Sequence, residues 1–239
     1  MSDLKGKVAV VLGASAEAGT GWAIAETLAA AGAKVVVGAR SEQPLQKLAA
    51  KIDGIAQVCD AGSEAQIEAL IQTAVERYGR LDIAVNAAGL PVLGMIADCD
   101  IDDVDNALDI NYVANVHLIK YATRAMDEQG GSIVIISSLS TTHPIFPNFA
   151  YACAKAATDC LVRYAALEYG PRNIRINSVL PGPIVSDLSK DLFASPAVRK
   201  VFEDEVPLRR LGYPQDFANA VLWLAGPAYV TGLNLPVCG

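Results

Sequence analysis

Short apolar runs alternate with helix-length segments along the whole of this sequence. Most of the runs are continuous rather than alternating between polar and apolar residues, which is typical of strands covered on both faces. Seven runs are strand candidates, at residues 7–12, 34–39, 55–59, 81–85, 132–137, 174–179 and 233–237. Because strand–helix–strand units join parallel strands through right-handed crossovers, the pattern predicts an α/β fold of three layers, a doubly wound, seven-stranded parallel sheet with helices on both faces.

The segments between these runs contain no linker, repeat or low-complexity tract, so we predict a single domain over residues 1–239. One helix start is marked clearly: Ser63-Glu64-Ala65-Gln66 has the spacing of a capping box. The rhythm is broken only between Pro181 and Pro207. Since a long excursion after the carboxyl end of a strand commonly covers a ligand site in such folds, we predict a lid at about 184–207.

Composition disfavours several classes of protein. With 19 Lys and Arg against 26 Asp and Glu, the formal net charge is −7, which argues against binding to nucleic acid. We expect no contact with a membrane and no secretory signal, because no apolar stretch has the length or flanks for either. Five cysteines without a CxxC pair indicate reduced thiols and a cytoplasmic protein. Two histidines and no cluster of Cys and His predict no catalytic metal.

A glycine-rich turn follows the first predicted strand and opens the first predicted helix. It reads Gly13-Ala14-Ser15-Ala16-Glu17-Ala18-Gly19-Thr20-Gly21. Small residues at this place let the backbone turn sharply and direct free N–H groups at a pyrophosphate from the start of a helix. A turn without a ligand is the alternative, but the position favours a dinucleotide. The predicted contacts are Gly13, Ser15, Gly19, Thr20 and Gly21.

The end of the second predicted strand indicates which dinucleotide is bound. A carboxylate there would bind the ribose 2′-hydroxyl of NAD, whereas an arginine accommodates the 2′-phosphate of NADP. The strand ends in Ala39-Arg40-Ser41, with no acid. We therefore predict NADP (NADPH) as cofactor, bound by Arg40 and Ser41, with NAD as the other possibility. An ordinary surface charge is the alternative for Arg40.

Two further loops follow predicted strands on the nucleotide side. Asp60 and Ala61 come after the third strand, where a carboxylate can accept a hydrogen bond from the adenine amino group; capping its own loop is the alternative role of Asp60. Asn86-Ala87-Ala88-Gly89 comes after the fourth strand. Its small residues would let backbone lie against the adenosine half, so Asn86, Ala87 and Gly89 are predicted contacts.

Candidate catalytic groups follow in the second half of the chain. Tyr151 and Lys155 are four residues apart at the start of a predicted helix, so they share one face. A nearby cation favours the phenolate and is expected to lower the tyrosine pKa from about 10 toward neutrality, as acid–base work requires. Ser138 ends the fifth strand, at the edge where α/β sheets bind ligands. Asn111 lies inside a helical stretch, where Asn is mildly unfavourable.

These features, taken in order and at their spacing, resemble the compact single-domain branch of the short-chain dehydrogenase/reductase family over essentially the whole chain. The resemblance implies a Rossmann fold with strand order 3-2-1-4-5-6-7. It also implies hydride transfer between a nicotinamide and a carbonyl or secondary alcohol.

The resemblance also assigns roles to the candidate residues. Tyr151 would be the general acid or base, and Ser138 would hydrogen-bond the substrate oxygen. Lys155 would bind the nicotinamide ribose and lower the pKa of Tyr151, while Asn111 would hold a water that links Lys155 to solvent. The nicotinamide would be seated by Pro181, Gly182 and Ile184, with Ser186 at its carboxamide.

The sequence departs from the family pattern at two places. The GxxxGxG loop of the family is GxxxxxGxG here, two residues longer, with Glu17 inside it, and an acid is unfavourable beside a pyrophosphate unless it points outward. The chain also ends Pro236-Val237-Cys238-Gly239, without the acid common near this terminus. Enoyl reductases of the same superfamily also have an altered glycine loop, but their Tyr and Lys are spaced more widely.

The residues expected around the substrate are mostly apolar, with no cluster of Arg or Lys. They are Leu90, Leu139, Ser140, His143, Pro144, Leu188 and Leu192. A neutral apolar ketone or secondary alcohol, cyclic ones included, fits this set. A 3-oxoacyl-carrier-protein reductase shares every motif and is the alternative enzyme. A non-catalytic nucleotide-sensing module is the third hypothesis. It is disfavoured because such a module need not keep a proton donor, whereas Ser138, Tyr151 and Lys155 are all present. The resemblance further implies a homodimer or homotetramer through helices near residues 101–126 and 150–169.

Overall fold

The structure, a computed structural model, describes residues 3–126, 130–145, 147–187 and 189–239. It contains a seven-stranded parallel sheet in the order β3-β2-β1-β4-β5-β6-β7. The strands are β1 (Val8–Leu12), β2 (Lys34–Ala39), β3 (Ile55–Val58), β4 (Ile83–Asn86), β5 (Gly131–Ile136), β6 (Ile174–Pro181) and β7 (Asn234–Val237). The predicted fold class and strand order are thus confirmed.

The described helices that flank the sheet are α1 (Thr20–Ala30), α2 (Glu42–Lys51), α3 (Glu64–Tyr78), α4 (Ile101–Leu108), α5 (Ala114–Ala125), α6 (Phe149–Tyr169), α7 (Pro196–Glu205) and α8 (Pro214–Ala225). A π-helical turn (Asp109–Val113) joins α4 to α5, and a 3₁₀ turn (Leu139–Thr141) follows β5. No described helix combines the length and apolar character that crossing a bilayer requires.

The two faces of the sheet bury two separate cores, which explains the continuous apolar runs in the sequence. Ala9 and Val11 of β1 pack with α1 and α8, whereas Val8, Val10 and Leu12 pack with α3, α5 and α6. Successive side chains of a strand point to opposite faces, so a strand covered on both faces needs apolar residues throughout.

A buried carboxylate joins the amino-terminal ends of β1 and β4. Asp82 is 5% exposed and accepts hydrogen bonds from the Val8 N–H (3.0 Å), from Lys7 Nζ (3.0 Å) and from Arg80 Nε (2.7 Å). Burial by itself would raise the pKa of Asp82, but the bonds from Arg80, Val8 and Lys7 lower it below its ordinary value. The group therefore stabilises the fold as a carboxylate, on the edge of the sheet opposite the loops considered below.

Element ends differ from the predictions by one or two residues, and one cap differs in kind. The helix after Ser63 begins where its sequence indicated, but the Ser63 side chain forms no capping bond. Gln66 Oε1 instead accepts from the Asp60 N–H over 2.9 Å, and Asp60 Oδ1 accepts from the Gly62 N–H over 3.0 Å. The predicted capping box is therefore wrong, because the Gln66 side chain accepts its hydrogen bond from Asp60 in the loop before α3 and not from the Ser63 backbone.

Candidate active site

The carboxyl ends of β1, β4, β5 and β6 meet along one edge of the sheet. The loops that leave this edge carry Gly13, Ala87, Ser138 and Gly182, which all belong to the predicted site. Ligands of open α/β sheets bind at this edge, where neighbouring connections run to opposite faces. The topology thus brings together residues that are far apart in the sequence.

The glycine loop is packed so closely that its glycines cannot carry side chains. Gly13 has a φ of +88°, and a Cβ on it would lie 2.3 Å from the Ala88 nitrogen. A Cβ on Gly21 would lie 2.2 Å from the Gly13 carbonyl oxygen. The N-cap of α1, Gly19, provides no side-chain cap for the first turn of that helix. The first-turn N–H groups of an eleven-residue helix are therefore available to an anion, which fits the pyrophosphate of a dinucleotide.

The two extra residues of this loop lead Glu17 outward. Glu17 is exposed, and its Oε1 accepts from Lys47 Nζ of α2 over 2.7 Å. The next residue makes a different contact, because the Ala18 N–H donates to Oδ2 of Asp187 over 3.3 Å. The unfavourable acid predicted inside the loop is thus turned toward a lysine. A second carboxylate, from the segment after β6, lies against the same loop.

The residues predicted on the adenosine side differ in what they contact. Arg40 and Ser41 are exposed, and their side chains form no hydrogen bond or ion pair with another described residue. Asp60 Oδ1 caps its own loop through the Gly62 N–H, and its contact with adenine, which is compatible with this role, stays a prediction. Asn86 is buried; its Oδ1 accepts from the Ala88 N–H (2.9 Å) and its Nδ2 donates to Asn115 Oδ1 (2.7 Å). Asn86 therefore shapes the backbone of the loop after β4, and its contact with a dinucleotide stays a prediction.

Tyr151 and Lys155 lie one turn apart near the start of α6, as predicted. Lys155 Nζ is 5.6 Å from the centroid of the Tyr151 ring and donates to the Ile136 carbonyl, at the end of β5, over 2.8 Å. Lys155 is only 2% exposed, and burial lowers its pKa to about 8, against the opposing effect of Asp159.

The sequence predicted a lowered pKa for Tyr151, but in the structure the pKa is raised, so this prediction is wrong for the chain without its cofactor. Burial raises this pKa above 10, and contact with Ser138 offsets only part of the effect. The reason is geometric, since the Lys155 ammonium lies over the ring and bonds to the Ile136 carbonyl. The phenol is consequently protonated at neutral pH, the form that a proton donor requires.

Ser138 is held by a residue that the sequence analysis assigned to the substrate. Ser140 is 5% exposed, and its hydroxyl and its backbone N–H both donate to Ser138 Oγ, over 2.9 Å and 3.2 Å. A hydroxyl oxygen that accepts two bonds keeps its own proton for donation. The buried Ser140 side chain thus has a role that the sequence analysis did not assign, the support of Ser138, and its contact with substrate stays a prediction.

Asn111 is completely buried in the π-helical turn and ties three elements together. Its side chain bonds to the Leu90 N–H (3.1 Å), to the Leu90 carbonyl (2.9 Å) and to the Ala107 carbonyl (2.9 Å). Its own carbonyl accepts from Thr158 Oγ1 of α6 (2.7 Å) and from Asn115 Nδ2 (2.8 Å). These bonds fix the loop after β4 relative to α6.

Gly89 shows where Asn111 and Lys155 converge. A Cβ on Gly89 would lie 3.4 Å from Asn111 Oδ1 and 3.7 Å from Lys155 Nζ. The side chains predicted to form a proton relay thus face the same glycine.

The backbone after β6 follows a defined path past the site. The Gly182 N–H donates to the Val237 carbonyl over 3.1 Å, and a Cβ on Gly182 would lie 2.7 Å from that of Cys238. Ile184 pairs with Gly212, while the buried Ser186 hydroxyl lies 3.2 Å from Ser189 Oγ.

The remaining substrate candidates differ in their exposure. Leu90 and Leu139 are half-buried, whereas His143, Pro144 and Leu192 are exposed. Leu188 lies outside the described residues. Two supporting residues, Asn115 and Thr158, were missed; both are polar residues within otherwise apolar stretches of helix, which is the signal that could have found them.

Comparisons with known proteins agree with this geometry. The sequence profile of a family described as enoyl-(acyl carrier protein) reductase matches residues 13–239. The 7alpha-hydroxysteroid dehydrogenase of Escherichia coli (strain K12) is 35% identical over 251 residues, which cover 99% of this chain and 94% of that protein. Dehydrogenase/reductase SDR family member 4 of Sus scrofa is 37% identical over 246 residues, covering 99% and 87%.

Solved structures are also similar to this chain over nearly its whole length. A short-chain dehydrogenase/reductase from Serratia marcescens BCRC 10948 superposes with a TM-score of 0.91 at 32% identity, covering 99% of this chain and 98% of that one. An actinorhodin polyketide ketoreductase with NADPH gives a TM-score of 0.92 at 28% identity, covering 100% and 98%.

The chain belongs to the short-chain dehydrogenase/reductase family. Within that class it is an NAD(P)-dependent oxidoreductase with a Rossmann fold.

Proposed function

We propose that this protein is an NADPH-dependent reductase of neutral, apolar ketones, cyclic ones included, and that it produces the secondary alcohols. The observation that carries the proposal is the arrangement of Ser138 and Tyr151. Ser138 Oγ accepts two hydrogen bonds and keeps its proton, and burial keeps the Tyr151 phenol protonated. Two hydroxyl donors at the carboxyl edge of the sheet suit the oxygen of a carbonyl that becomes an alcohol.

When bound, the nicotinamide cofactor supplies the hydride. Ser138 donates a hydrogen bond that orients and polarises the carbonyl oxygen, and Tyr151 donates the proton that this oxygen acquires. Lys155 presents an ammonium beside the Tyr151 ring and stabilises the phenolate left after the transfer. Asn111 holds the loop after β4 against α6. After the transfer, Lys155 would give a proton to the Tyr151 phenolate, and a water near the Asn111 side chain would restore the proton of Lys155.

Removal of the Tyr151 hydroxyl tests its assignment as the proton donor. Tyr151→Phe should abolish ketone reduction while NADPH still binds, as followed by cofactor fluorescence. The control is Tyr164→Phe on the same helix, since Tyr164 is 72% exposed. Full turnover in Tyr151→Phe would end the catalytic assignment.

The preference for NADP is proposed from the loop after β2. The side chains of Arg40 and Ser41 have no hydrogen-bond or ion-pair partner among the described residues and are therefore available to a 2′-phosphate. Arg40→Ala should raise KM for NADPH about tenfold and leave KM for NADH unchanged. Arg77→Ala, an exposed arginine at the end of α3, is the control. A clear preference for NADH that Arg40→Ala does not alter would contradict the proposal.

The apolar character of the rim supports a neutral substrate. Leu90 and Leu139 offer half-buried apolar surface, and a relative named for a hydroxysteroid is consistent with a cyclic alcohol. A panel of cyclic ketones, linear ketones and acyl thioesters with each cofactor tests this part.

An acyl-carrier-protein reductase is less well supported. Such an enzyme should have basic residues free for carrier docking, but several candidates are paired: Arg199 with Glu203, Lys200 with Asp204 and Arg210 with Asp216. Faster reduction of a 3-oxoacyl thioester than of any simple ketone would reverse this preference.

The remaining predictions concern the lid, the assembly and the location. We propose that residues 184–207 cover the bound substrate as part of a single domain, which the contact between Asp187 and the glycine loop supports. Exposed apolar side chains on α4 and α6, Ile101, Tyr164 and Leu167, support pairing with a second copy in a homodimer or homotetramer. Sedimentation analysis tests the assembly. A cytoplasmic location stays a prediction.

A further inference from the structure

A carboxylate that the proposed chemistry does not use is buried behind the site. Asp159 lies on α6 one turn after Lys155 and is 7% exposed. Ser178 Oγ of β6 lies 3.4 Å from Asp159 Oδ1, and Asn234 of β7 donates to the Asp159 carbonyl over 3.0 Å. Carboxylates are rarely buried, because the loss of hydration must be offset by nearby donors or cations.

The cluster around Asp159 includes two residues of the segment that carries Ser138, Ser137 and Thr141. Ser137 precedes Ser138, and its buried hydroxyl has no hydrogen-bond partner among the described residues. Thr141 follows, and its hydroxyl donates to the Ser138 carbonyl over 3.0 Å. Both hydroxyls are near enough to lower the pKa of Asp159. The carboxylate therefore lies directly behind the turn that presents Ser138.

Among the described residues, the two charged groups near Asp159 lie on its own helix. Lys155 lies one turn before it, buried, and Arg163 lies one turn after it, exposed. The strands and the 3₁₀ turn that pack against it contribute neutral groups: Ser137, Thr141, Ser178 and Asn234. Burial raises the pKa of Asp159, while the hydroxyls and Arg163 lower it. In return, Asp159 raises the pKa of Lys155 against the effect of burial.

We propose that Asp159 is a positioning residue that acts on the reaction through Lys155: its carboxyl group, buried one helical turn beyond Lys155, places a negative charge near that ammonium and favours its charged form beside Tyr151. This inference rests on the proposed function of the site. It makes Asp159 a group that sets the pH range of the reaction without touching substrate or cofactor.

The expected effect is a shift along the pH axis. Without the carboxylate, the negative charge one turn from Lys155 is removed, so the ammonium releases its proton at lower pH and the cation beside Tyr151 is lost. In Asp159→Asn, the alkaline fall of kcat for ketone reduction should move about one pH unit lower, with little change in KM. Asp159→Glu keeps the charge and should restore the profile.

A second measurement reads Lys155 without turnover. NMR of ¹⁵N-labelled lysine side chains in the free protein follows the ammonium of Lys155 as the pH rises, with Lys155→Arg to assign the signal. The midpoint should fall in Asp159→Asn by the same amount as the kcat profile. The control is Glu168→Gln, which removes one negative charge from an exposed position of the same helix, α6. Neither the kcat profile nor the Lys155 midpoint should change in this variant.

The outcomes separate this inference from the proposed function. If the wild type reduces ketones and Asp159→Asn shows unchanged pH midpoints in both experiments, the inference is overturned and the proposed function stands. If no ketone is reduced, the proposed function fails, and the NMR titration still decides the role of Asp159.

Should Asp159→Asn lose its fold, Arg163→Gln carries the test. The exposed Arg163 lowers the pKa of Asp159, so without this arginine Asp159 should take up its proton at higher pH and the acid-side fall of kcat should move upward. Acid limbs that superpose in wild type and Arg163→Gln would overturn the inference.

Discussion

The Ser140 hydroxyl donates a 2.9 Å hydrogen bond to Ser138 Oγ, and the Ser140 N–H donates a second bond to the same oxygen. These two bonds decide the direction of the Ser138 O–H, because they occupy both acceptor positions of the oxygen and leave its own proton to be donated elsewhere. The buried Ser140 therefore orients the hydroxyl of the half-buried Ser138.

We expect Ser140→Ala to lower kcat about tenfold with a smaller change in KM. The Ser138 hydroxyl loses its stronger donor and samples other rotamers, and a loss of that size corresponds to about 1.4 kcal/mol. Steady-state kinetics on a simple ketone provide the measurement. Thr142→Ala removes an exposed hydroxyl from the same segment and should stay within about twofold of wild type. Equal kcat values in the two variants would contradict the support by Ser140.

Gly13 and Gly79 allow close packing to be separated from backbone strain. Both have positive φ, but a Cβ on Gly13 would meet the Ala88 backbone, whereas a Cβ on Gly79 would meet nothing within 4 Å. Gly79→Ala should therefore cost about 1 kcal/mol in the free energy of unfolding. Gly13→Ala should cost about 3 kcal/mol or more and weaken dinucleotide binding. Urea unfolding measures both, and equal losses would show that the loop after β4 can move away.

Asp82 predicts how stability depends on pH. Its pKa is lower in the folded chain than the value of about 3.9 expected when unfolded. The carboxylate therefore stabilises the fold above that unfolded value, and the contribution is lost as the pH falls through the lower folded value. Asp82→Asn should lower the free energy of unfolding by about 3 kcal/mol at neutral pH. The difference from wild type should shrink below about pH 4.

The control for that experiment is another ion pair of the same charge. Asp53 pairs with Lys34 over 3.1 Å, but its side chain is 95% exposed. Asp53→Asn should change stability by less than about 0.5 kcal/mol at any pH. If the two variants lost equal stability, burial would not be the reason for the effect of Asp82.

Asp187 places a negative charge against the loop that is proposed to bind a pyrophosphate. Asp187→Asn removes the repulsion, and the dissociation constant for NADPH should fall about threefold in a fluorescence titration at low salt. The gain should diminish as salt is added. Asp191→Asn, an exposed acid in the same segment, is the control. Weaker binding by Asp187→Asn would mean that the carboxylate helps to form the loop.

Much of the site was predictable because its signals are local. The spacing of Tyr151 and Lys155 places them on one face of a helix in any fold that contains that helix. The crowding at Gly13 and Gly21 likewise follows from a tight turn between a strand and a helix.

Contacts between distant segments were not predictable in the same way. Ser140 was assigned to the substrate because a residue just after Ser138 is close to it in sequence, whereas the 3₁₀ turn folds its side chain inward. Gln66 was expected to cap its own helix, and the preceding loop took its side chain. In both cases a polar group had several partners within reach, and packing selected one.

The order of apolar and polar residues along the chain determined the layers of this protein, since burial on both faces of a parallel sheet demands continuous apolar strands. The strand order and the family followed from the resemblance of its motifs, in their order and spacing, to short-chain dehydrogenase/reductases. Only the tertiary structure decided the protonation of Tyr151 and the surroundings of Asp159. The physical reason is that the cost of a charge depends on the water excluded around it, and this is set by all the elements that pack against the group at once.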